Sequence, residues 1–146
     1  MLVATDFSEN AQRACEHACD LARQLGAKLY VLHAQDESSL RMAIKEGLLR
    51  EDSTDEQLQQ AVAQLTQARF SQMMAGIDPS RITVEFFARR GDPKRIISEF
   101  AGEINADLVV VGRRGTSLID LVLGSVADSV IRNSPCPVMV VRRDHK

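Results

Sequence analysis

Four apolar residues in a row, Leu108-Val109-Val110-Val111, constrain this chain more than any other feature. The run is mostly β-branched and shows no polar alternation, the pattern of a parallel strand covered on both faces. Gly112 should stop that strand. Gly112 and Gly115 bracket Arg113 and Arg114, and Gly124 and Ser125 precede a helical stretch, Val126 to Ile131, with Ser125 as the expected N-cap. Glycine lets backbone come close to a ligand, and the free N–H groups and positive dipole end of a helix attract phosphate oxygens. The segment therefore outlines an anion site. It lacks the lysine of G-x-x-x-x-G-K-[ST], and G-x-G-x-x-G occurs nowhere in the chain, so a strand, a loop and a capped helix without ligand fit these residues equally well.

The remaining elements alternate. Leu2 to Thr5 reads as a short strand ending at Asp6, and Ser8 as the N-cap of a helix from about Glu9 to Leu25 that Gly26 ends. Its core stripe is Ala11, Cys15, Ala18, Ala22 and Leu25. Lys28 to Ala34 is a second strand, and Gln35 to Ser53 an irregular helical excursion. Ser53-Thr54-Asp55-Glu56 reads as a capping box for a helix that buries Leu58, Val62, Leu65, Ala68 and Met73 and breaks at Gly76. Ile82 to Ala88 is the third strand, Gly91-Asp92-Pro93 opens the next helix, and Val138 to Val141 is the fifth strand. Alternating strands and helices call for a parallel sheet covered by helices on both faces, and residues 1–146 make one domain by size. In such open sheets ligands bind beyond the carboxyl ends of the strands, where the strand order reverses. Thr5-Asp6, Ala34 and Gly112 all follow such ends, so three segments converge on one crevice.

Composition excludes several functions. With 18 basic and 20 acidic residues the formal charge is −2, which gives no global attraction to nucleic acid or to an anionic membrane. Aromatic residues are 4% and tryptophan is absent, against a base-stacking platform. No apolar run approaches the ~20 residues needed to span a bilayer, and the start MLVATDFSEN lacks a basic region and an apolar core, so a cytoplasmic location is expected. Three cysteines make no paired framework. Cys15 and Cys19 share a helix face with small apolar residues while His17 points elsewhere, so buried thiols, not a metal site, are expected there.

The glycine segment resembles the nucleotide-binding motif of the universal stress protein family, G-x2-G-x9-G-[ST]. The resemblance runs nearly end to end, through VATDFSENA from Val3, KLYVLHAQD from Lys28, GDPKRIISEFA from Gly91 and SPCPVMVVRR from Ser134. Only eight residues, Thr116 to Leu123, separate Gly115 from Gly124, one fewer than ATP-binding members usually have. This chain also enters its first strand at Leu2, where the family has a few residues ahead of it, which points to a trimmed N-terminus. The resemblance implies an open five-stranded sheet of order 3-2-1-4-5, Rossmann-like and of the adenine nucleotide alpha-hydrolase type. It further implies ATP or AMP as a regulatory ligand in a stress response, with Mg²⁺ carried by the phosphates, and a homodimer formed through Val138 to Val141. Asp6, beside Thr5, would accept from ribose hydroxyls or hold a metal-bound water, and the adenine would be held by the backbone of Ala34. Val111, Gly112, Arg113, Arg114 and Gly115 would line ribose and phosphates, with Gly124, Ser125 and Val126 gripping the phosphates from the helix end. Each has a plainer alternative: an Asx turn for Asp6, core packing for Ala34, a solvated charge for Arg114.

No nucleophile, base and orienting group can be assembled, and His33, inside a strand, reads as a satisfied histidine and not a catalytic one. No catalytic residue is assigned. A slow ATPase and a ligand-free dimeric interaction module stand as the alternatives to a nucleotide-binding regulator.

Overall fold

The computed structural model describes residues 1–50, 52–113 and 122–142. The elements follow the order β1 (Leu2–Ala4), α1 (Glu9–Leu25), β2 (Lys28–Gln35), α2 (Glu37–Lys45), α3 (Asp55–Met74), β3 (Thr83–Arg90), α4 (Pro93–Glu103), β4 (Val109–Gly112), α5 (Ser125–Asn133) and β5 (Val138–Val141). All four strand pairings are parallel and the sheet order is β3-β2-β1-β4-β5. β1 lies at the centre, with Leu2 level with Tyr30 on one side and Val109 on the other. The order reverses there, because β2 and β4 leave β1 in opposite directions.

Residues alternate between two cores with the period of two that a pleated strand imposes. Leu2, Leu32, Val109 and Val111 pack on one face against Ile97, Phe100 and Ala101 of α4 and Ala127 and Val130 of α5. Val3, Leu29, Val31 and Val110 pack on the other against Ala14, Cys15, Ala18, Cys19 and Ala22 of α1 and Met73 of α3. The small residues of α1 let that helix lie close to the sheet. At its C-terminal end Gly26 takes φ 62°, the left-handed conformation glycine adopts without strain.

Several boundaries depart from expectation. Leu25 is 66% exposed, so the buried stripe of α1 ends at Ala22. On α3 the buried face is Ala61, Val62, Thr66 and Met73, and Ala68 points to solvent. The α3 N-cap is Thr54, with its Oγ1 accepting from the Gln57 N–H and the Gln57 side chain accepting from the Thr54 N–H. Ser53, one residue earlier, has its Oγ engaged by the Arg50 N–H. The excursion after β2 contains α2, whose Ala43 joins Leu49, Ala61 and Val62 in a small satellite core against α3. It lies beyond the β2 and β3 side of the sheet and so does not cover β5 at the opposite edge.

β4 starts at Val109, one residue later than expected, and ends at Gly112, which pairs with Val141 as its last residue. A Cβ on Gly112 would stand 2.9 Å from the Asn10 carbonyl oxygen. Glycine is required there because the strand end is pressed against the first turn of α1.

Candidate functional site

Beyond Ala4 the chain turns through two successive side-chain-to-backbone bonds. Thr5 Oγ1 accepts from the Phe7 N–H at 2.9 Å, and Asp6 Oδ1 accepts from the Ser8 N–H at 2.9 Å. Asp6 thus makes the Asx turn that was its plainer reading, while its carboxylate stays exposed at the rim of the cleft. Phe7 is held at φ 61°, an uncommon conformation for a bulky residue that costs on the order of 1–3 kcal/mol. Its ring lies 4.7 Å from that of His33. His33 Nδ1 is 2.9 Å from the Thr5 carbonyl. A carbonyl only accepts, so this nitrogen carries the proton. Burial pushes the imidazole pKa below its ordinary 6.5, against the carbonyl and the carboxylates of Asp36 and Asp6, which favour the cation. His33 is a structural clamp between β2 and the turn after β1, as its position in the strand indicated.

Ala34 offers backbone, not side chain. The Tyr30 N–H donates to the Met1 carbonyl and the Thr5 N–H to the Leu32 carbonyl, each at 2.9 Å, so alternate residues of β2 face β1. Gln35, in the opposite phase, accepts from the Gly91 N–H on the β3 side. Ala34 therefore presents its N–H and C=O towards β1 at a level where β1 has already turned away. One donor and one acceptor, side by side and aimed into the cleft, match the edge of a nucleobase.

The third wall comes from β4 and α5. The Arg113 N–H donates to the Val141 carbonyl and the Gly124 N–H to the Arg113 carbonyl, each at 2.9 Å, which brings the two ends of the intervening segment together. Gly124, not Ser125, is the N-cap of α5, with extended backbone at φ −64° and ψ 149°. The expectation was one residue late, because a cap needs extended backbone and Ser125 is already helical. Glycine has no side-chain acceptor, so the first turn of α5 is not capped from its own N-cap residue. Arg114 and Gly115, assigned from the motif, lie outside the described residues.

These walls enclose a cavity of about 390 Å³ at the carboxyl ends of β1, β2 and β4. Of the expected residues, Thr5, Asp6, Ala34, Val111, Gly112 and Val126 line it, while Arg113, Gly124 and Ser125 stand at the turn beside it. Phe7, Met42, Leu65, Arg69, Pro93 and Ile97 also line it and were not anticipated. Arg69 reaches in from α3, ion-paired with Glu46. Its Nε is buried without a hydrogen-bond partner among the described residues, a donor available to a polar ligand atom. Pro93 alone had left a signal, in the Gly91-Asp92-Pro93 helix start. Among the described residues no group of three histidine, cysteine or carboxylate side chains is arranged to hold a metal ion, and no helix is long and apolar enough to cross a membrane. Cys15 and Cys19 are fully buried in the α1 stripe, and their mutual hydrogen bond, aided by burial, drives the Cys15 thiol far above its usual range.

The same architecture recurs in known proteins. Residues 1–142 match the universal stress protein family. A universal stress protein of Methanocaldococcus jannaschii is 31% identical over 147 residues, covering 100% of this chain and 83% of its own length. A universal stress protein solved in complex with cAMP superposes with a TM-score of 0.61 at 26% identity, over 97% of this chain and 94% of its own. One from Archaeoglobus fulgidus, solved in complex with dAMP, gives a TM-score of 0.64 at 25% identity, over 95% and 94%. With its parallel sheet, its reversal of strand order at β1 and its match along nearly the whole sequence, this chain belongs to the universal stress protein family.

Proposed function

We propose that the cleft binds an adenine nucleotide as a regulatory ligand in a stress response. The observation that carries this reading is the pairing of two features across one cavity: the unengaged N–H and C=O of Ala34 at one end, and the glycine-capped start of α5 at the other. Adenine presents an acceptor nitrogen beside an amino donor, the complement of the Ala34 pair. Phosphates would lie against the α5 N–H groups, with Arg113, Arg114, Gly115, Ser125 and Val126 around them. Asp6 would accept from a ribose hydroxyl through the oxygen not used in its turn. Relatives bound to cAMP and dAMP support the choice of adenine. Mg²⁺ would travel with the phosphates of ATP, because the described residues supply no cage for it.

The ligand is read as bound and not turned over: among the described lining residues the acid–base groups are the carboxylates of Asp6 and Asp36 and the clamped His33, and the Thr5 hydroxyl is engaged in its turn, so no nucleophile, base and orienting group stand together. Calorimetry with AMP and with Mg-ATP tests binding: micromolar affinity for either is expected, and no heat at millimolar nucleotide would remove the reading. Product analysis after a single turnover tests the regulatory role, and release of ADP within minutes would assign an ATPase instead.

We also place a homodimer on β5. This strand pairs with β4 on one side only among the described residues, and Met139 is 39% exposed at its centre. Apolar edge strands invite pairing with a copy across a two-fold axis. Sedimentation equilibrium should show a dimer for the parent and a monomer for Val140→Lys.

A further inference from the structure

The cleft does not end at Ala34. A second cavity of about 530 Å³ opens between α2, α3 and the ends of β2 and β3, and it shares Asp36 and Pro93 with the first. Its walls are apolar where Leu40, Leu58 and Val62 face it. At its mouth the carboxylates of Asp36, Glu37 and Asp92 outnumber the single cation of Arg90, so an anionic occupant is disfavoured.

The backbone fixes which part of an adenine would look into this space. Along a strand each residue's C=O lies on the C-terminal side of its N–H. An adenine whose ring nitrogen accepts from the Ala34 N–H, and whose amine donates to the Ala34 C=O, turns that exocyclic amine towards Gln35 and Asp36. Asp36 stands where the two cavities meet. The second hydrogen of the amine, not needed by Ala34, therefore marks the way from one cavity into the next.

We propose that the second cavity is a subsite for a neutral, branched alkyl group carried on the exocyclic amine, so that the ligand class of this chain is an N6-alkyl adenine nucleotide. This rests on the adenine-nucleotide reading above and adds to it the group that fills the adjoining space. A single alkyl group leaves one N–H for the Ala34 carbonyl, whereas two would remove it. The walls of Leu40, Leu58 and Val62 would desolvate a five-carbon chain, while a phosphate or carboxylate there would meet the acidic mouth.

The test compares AMP, N6-isopentenyl AMP and N6,N6-dimethyl AMP by calorimetry on the full chain. Isopentenyl AMP should bind roughly tenfold tighter than AMP, from the apolar surface it buries, and dimethyl AMP more weakly than AMP. Leu58→Trp should fill the subsite and erase the tenfold preference while AMP affinity stays within about twofold, as expected for a residue outside the nucleotide cleft. If that variant fails to fold, Gln59→Trp, placed at an exposed position of the same helix that also borders the cavity, should do the same. Tight AMP binding with equal or weaker binding of the isopentenyl derivative would overturn the subsite and leave the nucleotide reading standing. Absence of binding by all three would overturn both.

Discussion

Two helices, α1 and α5, start beyond the carboxyl ends of the strands and are finished in opposite ways. The first turn of α1 is closed from within: Ser8 Oγ accepts from the Ala11 N–H, Asp6 accepts from the Ser8 N–H, and Gly112 is pressed on Asn10. The first turn of α5 begins at a glycine with no side chain to offer. Both helices carry the same partial positive charge at this end, but only α1 has its first turn capped by the side chain of its own N-cap residue. The dipole alone does not distinguish the two, and the proposed phosphate position at α5 rests on the cap that α5 lacks.

This contrast is best broken by giving α5 the cap it lacks. Gly124→Asp should add a few tenths of a kcal/mol to stability, since aspartate caps slightly better than glycine and its charge suits the dipole. The same carboxylate would occupy the phosphate position, and nucleotide affinity should fall on the order of 100-fold, about 2.7 kcal/mol. Thermal unfolding and calorimetry on one preparation read both, and an unaltered affinity would separate α5 from the ligand. Next in size, Gly112→Ala should cost about 2 kcal/mol of stability through overlap with the Asn10 carbonyl, visible as a lower urea midpoint with unchanged slope. A neutral result would show that the strand end and α1 are not in forced contact. Ser8→Ala should cost about 1 kcal/mol as a lost cap and leave nucleotide affinity unaltered. A several-fold change in affinity would mean that α1 also serves the ligand.

The smallest expected effect concerns His33, which ties the turn before α1 to β2. Its folded pKa lies below the unfolded 6.5 because burial disfavours the cation. On acidification the unfolded chain takes up this proton first, so the stability contributed by the neutral ring is complete above about pH 7.5 and declines as pH falls through 6.5 towards the depressed folded value. Urea unfolding at pH 7.5 and pH 5.5 should show a smaller loss for His33→Asn than for the parent, the difference being at most about 1.4 kcal/mol per pH unit.

The sheet and its crossovers were readable because the sequence marks them more than once. Leu108 to Val111 has the density of a doubly covered strand, and Ser8, Gly26 and Pro93 stand where helices begin or end. Helix starts were harder wherever two neighbours could serve. Ser53 and Thr54 each begin a legitimate capping box, with Glu56 and Gln57 respectively, and only the bond from the Arg50 N–H to Ser53 decides between them. Gly124 and Ser125 posed the same ambiguity. In the site, residues that end strands were legible because topology sends them to one place. Arg69, Met42 and Leu65 were not, since their arrival depends on how α2 and α3 rotate against each other, which a weakly amphipathic, glutamine-rich helix does not declare. Phe7 escaped too, because nothing in its neighbours announces a positive φ.

The bond from the Gly124 N–H to the Arg113 carbonyl has a consequence for how this family member can change over generations. It holds Arg113 and Gly124 together, so closure of the chain between them is already counted in the folded state. Closure entropy grows only as about 1.5RT times the logarithm of loop length. Adding one residue to ten would then cost under ~0.1 kcal/mol, far less than the fold could register. Length between these two anchors is nearly free to drift in stability, and under the nucleotide reading proposed above the phosphate tail would be the principal constraint on it.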